Sequence, residues 1–351
     1  MTSPRAVARI DLGAIRHNAG RLVRAAGGAR VMAIVKADGY GHGAVPAARA
    51  ALEGGATALG VATVAEAETL RAAGIDDPVL VMGPLAGHEW GRAVSAGAEL
   101  AVWTPGAVAR AAAAAGGGRV RVHLKLDTGM GRLGARPEDV AALADAAAAE
   151  AGVEVVGLMT HFATADETEG ENAAFMGEQL LRFRAAAAGL RPRFPAAALH
   201  AANSAATFRE PAAAFDMVRC GIALYGCSPF GADPAALDLR PAMSLVSYLA
   251  ATKTLLSRES AGYGRAWRAA RGTRVAVVPV GYADGYARAL SGRAEVLTGG
   301  RRVPVVGTIS MDQLTVDLGP GGEEPVGEEA VLLGAQGAER ITAEELAALR
   351  G

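Results

Sequence analysis

The sequence predicts an α/β protein, a (β/α)8 barrel followed by a mostly β C-terminal domain. Three observations carry that expectation. Eight short apolar runs recur up to about residue 225, and most are followed by a helical stretch. Beyond that point alternating β-type runs take over, separated by Gly-rich turns. At 351 residues the chain also exceeds one typical domain, so two are expected. Eight strands with crossover helices over this length fit a closed barrel better than an open doubly wound sheet, which is the alternative.

In chain order, a helix over residues 11–26 precedes the first run at 31–36, and further strands are expected at 58–62, 79–83, 100–103, 120–126, 153–161, 198–202 and 217–220. The segments between them carry helix-start signals. Thr63 with Glu66 fits a capping box, and Thr104-Pro105 places an N-cap before a proline at the first helical position. Pro137-Glu138-Asp139 puts a proline and two acids in a first turn, where acids favour the helix dipole. Many alanines and 46 glycines blur the periodicity, and the near-repetitive stretch 111–118 reads as a helix and turn. Residues 228–241 read as loop. Strands are then expected at 243–255, 274–279, 294–297, 302–309 and 313–317, with turns at Gly299-Gly300 and 319–322 and a closing helix at 343–349. The barrel is placed at 9–236 and the β domain at 237–351, with residues 1–8 expected to pack with the latter.

A net charge of −1 gives no reason to invoke nucleic acid or an anionic membrane. Residues 1–9 hold two arginines and no apolar core, unlike a secretory signal, and no apolar run approaches bilayer length. Two cysteines, Cys220 and Cys227, cannot build a disulfide framework or a four-thiolate zinc site. A soluble cytoplasmic protein is the expectation. Apart from His161, the histidines show no metal-ligand spacing, and no metal is expected. Gly39-x-Gly41-x-Gly43 is not a dinucleotide fingerprint, and no Walker lysine motif exists.

The segment AIVKADGYGHG, residues 33–43, is the most informative. An apolar β run delivers one lysine, Lys36, to a loop with three glycines, and Tyr40 lies among them. A lysine at a loop mouth suits imine chemistry, because a desolvated amine can lose its proton and attack an aldehyde. The plain alternative is a surface lysine beside a flexible turn. Other polar residues gather at predicted strand ends, where barrels carry their active sites. Lys125, Asp127 and Arg132 follow strand five, His161 ends strand six, Asn203 and Ser204 follow strand seven, and Arg219, Gly221 and Ile222 close strand eight. The loops after strands seven and eight are the usual phosphate site of such barrels, and the Ser204 hydroxyl with bare amides at Gly221 and Ile222 would suit one. A lysine and a phosphate cradle at one mouth point to pyridoxal phosphate, which carries both an aldehyde and a phosphate. Each residue also has a plain reading. Lys125 and Arg132 fit a solvated charge pair, His161 a hydrogen-bonded core residue, Arg219 a partner for Asp216, and the glycines around Met130 an ordinary loop.

With those residues in hand, the sequence resembles the bacterial alanine racemases from about residue 7 to its end. The resemblance rests on AIVKADGYGHG (33–43), KLDTGMGRLG (125–134), THFATADE (160–167), HAANSAA (200–206), VRCGIALYG (218–226), GYGRAW (262–267), PVGYADGY (279–286) and VGTISMDQ (306–313). It implies a pyridoxal phosphate enzyme with a (β/α)8 barrel and a C-terminal β domain, acting as a homodimer with active sites shared between subunits. It implies that Lys36 holds the cofactor as an imine and then acts as base on one substrate face. Tyr263 would be the base on the other face, reaching in from the partner subunit. Arg219 would face the pyridine nitrogen and Arg132 the phenolic oxygen and substrate, while Tyr40, Asn203, Ser204, Gly221 and Ile222 would surround the phosphate. Met311 and Asp312 would touch the substrate from the partner, His161 would support the line from Arg219 to Tyr263, Tyr282 would narrow the mouth, and Lys125 would be the position carbamylated in some members.

A lysine and a tyrosine on opposite faces satisfy inversion of a stereocentre without turning the substrate over. An arginine at the pyridine nitrogen, holding its own proton, would leave that nitrogen unprotonated and so limit side reactions. The family usually continues past residues 341–349 into a strand whose tyrosine reaches the phosphate, and this sequence stops at Gly351. A weaker phosphate grip and an exposed sheet edge are therefore expected. The activity implied is interconversion of L- and D-alanine, supplying D-alanine for peptidoglycan. The alternatives are a broader racemase acting on serine, a non-catalytic pyridoxal phosphate-binding barrel protein, and a decarboxylase of similar build. Tyr263, Met311 and Asp312 argue against the non-catalytic protein, and the absence of a cysteine from the second domain argues against the decarboxylase.

Overall fold

The structure, a computed structural model, describes residues 4–350. Residues 1–3 of the segment expected to pack with the β domain lie outside the described residues, as does Gly351. The chain forms two compact units. One comprises residues 12–230 and 237–240, the other residues 4–11, 231–236 and 241–350.

Strand β1 (Val7–Ile10) belongs to the second unit. The first unit is built on β2 (Arg30–Ile34), β3 (Ala58–Val61), β4 (Val79–Val81), β5 (Glu99–Val102), β6 (Val120–Lys125), β7 (Val153–Met159), β8 (Ala198–His200) and β9 (Met217–Cys220). These eight pair in parallel in the order β8-β7-β6-β5-β4-β3-β2-β9. The ends of that row meet. Asp216 N–H donates to Leu199 O at 3.0 Å and Arg219 N–H to Ala202 O at 2.9 Å, which brings β8 alongside β9. The barrel expectation is borne out, since consecutive strands are neighbours and no reversal of order marks an open doubly wound sheet.

Local chemistry accounts for the helices between the strands. Helix Leu12–Ala25 buries Ala14, Ile15, Asn18, Ala19 and Leu22, an i, i+1, i+4, i+5, i+8 stripe that lies on the barrel. The Thr63–Glu66 capping box forms as expected, and Thr104 accepts from Ala107 N–H at 3.1 Å ahead of Pro105. Pro137–Asp139 makes one 3-10 turn that runs into helix Val140–Ala149. Strands β3, β4 and β5 are buried throughout, as parallel strands covered on both faces must be.

The second unit contains a nine-stranded antiparallel sheet. Its strands after β1 are β10 (Met243–Tyr248), β11 (Ala251–Leu255), β14 (Thr273–Val278), β15 (Glu295–Thr298), β16 (Arg301–Val306), β17 (Leu314–Gly319), β18 (Glu329–Gln336) and β19 (Glu339–Ile341), while β12 (Ser260–Ala261) and β13 (Trp267–Arg268) form a separate hairpin. The run expected at 243–255 is two strands. Leu249 N–H bonds to Glu328 O at 2.9 Å and Ala250 N–H to Val277 O at 2.8 Å, so the chain changes partner there, from β18 to β14. Val278, Val296, Val303, Val316 and Leu332 form the core of this unit. Among the described residues no helix is long and apolar enough to cross a membrane.

Candidate active site

A cavity of about 510 Å³ opens at the C-terminal ends of the barrel strands. Of the eleven residues singled out on the barrel, ten line it, namely Lys36, Tyr40, Lys125, Arg132, His161, Asn203, Ser204, Arg219, Gly221 and Ile222, and Asp127 does not.

Lys36 begins a turn of unusual hand. Ala37, Asp38, Gly39 and Tyr40 have φ of 52, 52, 62 and 55°, which is left-handed backbone over four residues. Non-glycine residues there cost about 1–2 kcal/mol each, so the turn exists only because its surroundings impose it. Glu66 accepts from Ala37 N–H at 2.7 Å, and Asp38 Oδ1 accepts from Ala44 N–H at 2.7 Å. The same Glu66 carboxylate caps its own helix through Thr63, so one residue serves both devices. The Tyr40 ring stacks on Tyr225 with centroids 4.8 Å apart, and the Tyr225 hydroxyl donates to Ile34 O at 2.9 Å. Burial raises the Tyr40 hydroxyl above its ordinary pKa, so it remains a donor at neutral pH.

Tyr40, Ser204 and Gly221 meet in one corner. A Cβ at position 221 would lie 2.5 Å from the Tyr40 hydroxyl, so only glycine admits that approach. The Gly221 amide is not bare as expected. It donates to Ser204 Oγ at 3.0 Å, and Ala223 N–H does so at 3.3 Å. Asn203 Oδ1 caps the helix Ser204–Arg209 by accepting from Ala206 N–H at 3.0 Å. The corner therefore gathers two hydroxyls, those of Tyr40 and Ser204, that can donate to a phosphate, while the amides of Gly221, Ala223 and Ala206 already have acceptors.

The floor is strongly cationic. Arg219 does not pair with Asp216, whose carboxylate instead faces Arg191 at 3.4 Å and accepts from Leu199 N–H. Arg219 donates to the carbonyls of Thr160 at 2.6 Å and His200 at 2.8 Å, and to His161 Nδ1 at 3.2 Å. His161 is thus an acceptor, and burial followed by the fields of Arg219, Arg132, Lys125 and Lys36 pushes its pKa down to about 3. Lys125 is 6% exposed, not part of a solvated pair. Burial, then Arg219, Arg132 and Lys36, lower its pKa to about 8. Arg132 lies at the exposed rim. The lining holds four cationic side chains, Lys36, Lys125, Arg132 and Arg219, against one carboxylate, Asp166. Asp127 offers little balance, because its carboxylate is taken up by the amides of Gly129 and Gly131. Such a site is complementary to a small molecule bearing several negative charges. Among the described residues no group of three or more His, Cys, Asp or Glu side chains is arranged to hold a metal ion.

Comparison with known proteins decides the family. The profile described as "Alanine racemase, N-terminal domain" matches residues 10–229, and "Alanine racemase, C-terminal domain" matches residues 242–351. The chain belongs to the alanine racemase family. It is 45% identical to an alanine racemase from Frankia casuarinae, over 99% of this chain and 91% of that protein. A 45% identical alanine racemase from Symbiobacterium thermophilum aligns over 97% of this chain and 91% of its own length. The solved alanine racemase from D-cycloserine producing Streptomyces lavendulae superposes with a TM-score of 0.93 at 40% identity, over 100% of this chain and 93% of that one.

The remaining residues to which the alanine racemase resemblance gave roles lie on the second unit. Three loops converge there. Tyr282 N–H donates to Ser310 O at 3.1 Å and Ala283 N–H to Met311 O at 2.9 Å, while the Thr308 hydroxyl donates to Tyr263 O at 3.2 Å. This packing places Tyr263, Tyr282, Met311 and Asp312 on neighbouring loops, with 73%, 43% and 59% exposure for Tyr263, Tyr282 and Met311. Three large apolar-bodied side chains standing in water on adjoining loops are unusual without a partner surface. Sequence reasoning missed Tyr225, Asp166 and a buried line of Glu99, His123 and His200 behind Arg219. Tyr225, Asp166 and His200 lie inside the motifs VRCGIALYG, THFATADE and HAANSAA, whereas Glu99 and His123, buried within strands, left no periodic signal.

Proposed function

We propose that this chain interconverts L- and D-alanine with pyridoxal phosphate by a two-base mechanism, as a homodimer that shares its active sites. The observation that carries the reading is the cavity itself. One rim lysine, a two-hydroxyl corner and a carboxylate-poor cationic floor suit an aldehyde, a phosphate and an amino-acid carboxylate together. Bound there, the cofactor supplies an aldehyde for amine exchange and a conjugated ring that withdraws electrons from the substrate α-carbon. The chain's own residues do the rest. Tyr40, Ser204 and the segment 221–222 would hold the phosphate, and Arg132 would receive the substrate carboxylate. Arg219, fixed by carbonyls and two imidazoles, would donate to the pyridine nitrogen and keep a proton off it. Lys36 Nζ would take or return the α-proton on one face. Tyr263 of the partner subunit would do so on the other, which accounts for its exposure on this chain, with Met311 and Asp312 beside it and Tyr282 narrowing the mouth. Neither cysteine is in a disulfide, which suits a reducing cytoplasm, where D-alanine for peptidoglycan would be made.

Added pyridoxal phosphate is expected to give the protein a visible absorption band, and the loaded protein to racemise L-alanine. L-serine should be slower in kcat/KM by about 10- to 100-fold, the discrimination that a small apolar pocket achieves against one added hydroxyl. A protein that stays colourless sinks the cofactor, and equal rates on both substrates favour the broader racemase.

Lys125 is a carbamylation site in this reading. Its pKa of about 8 leaves a neutral amine available to carbon dioxide near physiological pH. The ammonium gives up one proton, and the neutral amine then adds carbon dioxide and releases a second, so a cation becomes an anion within the field of Arg219 and Arg132. Intact mass in bicarbonate should show one added carbon dioxide, with occupancy rising as pH climbs through about 8 and absent in Lys125→Met. An unmodified mass throughout removes the assignment.

A further inference from the structure

Arg219 is 4% exposed, and no carboxylate is among its hydrogen-bond partners in the described structure. A buried guanidinium served only by neutral groups is costly unless negative charge reaches it by another route. Such a route exists. Arg219 Nη1 donates to His200 Nδ1 at 3.1 Å, His200 Nε2 lies 2.8 Å from His123 Nδ1, and His123 Nε2 lies 2.7 Å from Glu99 Oε2. His200, His123 and Glu99 are 0%, 2% and 5% exposed. Arginine can only donate and a carboxylate can only accept, so the intervening protons have one consistent arrangement. His200 carries its proton on Nε2 and gives it to His123 Nδ1; His123 carries its own on Nε2 and gives it to Glu99.

The barrel departs from regularity to build this line. His123 on β6 reaches His200 on β8 across the intervening strand β7. The β6–β7 register shifts between Val122 and His123, leaving Val156 as an extra residue. Gly157 then stands opposite His123, and a Cβ there would overlap the imidazole. A bulge and a glycine thus clear space for one ring.

We propose that Glu99 and His123 are positioning residues for Arg219, acting through His200 to fix the ring tautomers and present Arg219 to the cavity as a charged donor. The role given to Arg219 rests on the racemase reading, whereas the tautomer order does not. The charged groups around the line agree with it. Arg121 Nη1 stands 2.6 Å from Glu99 Oε1 as an ion pair without the alignment of a hydrogen bond. Burial pushes the Glu99 carboxyl up, but the His123 bond and the fields of Arg121 and Arg30 hold the group below its usual range. Burial, then the fields of Arg219 and Arg30, keep His200 well below its ordinary pKa and therefore neutral.

The test is the protonation of ring nitrogens in the purified, cofactor-loaded enzyme, read by long-range proton–nitrogen correlation on nitrogen-15 histidine. Six histidines can be assigned with single replacements. Both His123 and His200 should be neutral with the proton on Nε2. In Glu99→Gln, Arg121 draws the amide oxygen and turns the amide nitrogen toward His123. Both tautomers should then reverse, and kcat should fall about 10- to 100-fold, as for other buried orienting partners. Adding Arg121→Met frees the amide oxygen to accept from His123, so the tautomers should return and the rate recover in part. A wild-type His123 or His200 protonated on Nδ1 overturns the proposal without any variant having to fold. So does a Glu99→Gln protein with unchanged tautomers and rate. Loss of the cofactor reading would leave the nitrogen spectrum unaffected, so the two failures are distinguishable.

Discussion

Lys36→Ala should lose both racemisation and covalent attachment of pyridoxal phosphate. The amine is asked to be the attachment point and a base, and the base role alone is worth about 10²–10⁴-fold in rate. Borohydride treatment of the loaded wild-type protein, followed by peptide mapping, should put the label on Lys36 and on no other residue. Lys125 lines the same cavity, with a pKa lowered to about 8 by burial and neighbouring cations. Burial separates the two, because Lys125 is 6% exposed whereas Lys36 is half-buried at the rim. A label on Lys125, or one that persists in Lys36→Ala, would reassign the chemistry.

Tyr263→Phe should lower racemisation by a similar factor, about 10²–10⁴-fold, while leaving cofactor attachment intact. The surviving lysine should still exchange the α-hydrogen of one enantiomer with deuterated water, so label enters without inversion. Mixing the two inactive variants gives a sharper result. A mixed dimer carries one site with Lys36 from the Tyr263→Phe chain and Tyr263 from the Lys36→Ala chain. Random exchange of subunits makes half the dimers mixed, each with one intact site of two, so about a quarter of wild-type activity should return. No recovery after verified subunit exchange would place Tyr263 in the site of its own chain, or outside any site.

Most of the barrel was legible because its strands are continuous apolar runs that end on out-of-place polar residues. Lys36, His161 and Arg219 stand out against Val, Ile and Leu, and their position at strand ends is a fold-level regularity. The β unit was harder. Strand β18, EAVLLGAQ, lies beyond a turn-rich stretch, and β1 is only VARI, whose partner, β10, is more than two hundred residues away. Long-range pairing of that kind leaves no local mark. The break between β10 and β11 was invisible for the same reason, since Leu249-Ala250 reads as ordinary strand and only the change of partner divides it. Glu99, His123 and His200 went unnoticed because separated residues on three strands form a line only after the barrel closes.

The left-handed segment behind Lys36 has a consequence for how the enzyme spends its conformational freedom. A freely rotating hinge would have let the amine wander, and each encounter with a substrate would have had to search for the productive pose. Here side chains occupy a backbone shape that most residues shun, and Glu66, Asp38 and the Tyr225 ring leave that shape no neighbouring basin. The search is finished during folding, long before any ligand arrives, and the nitrogen meets its target with little disorder left to lose.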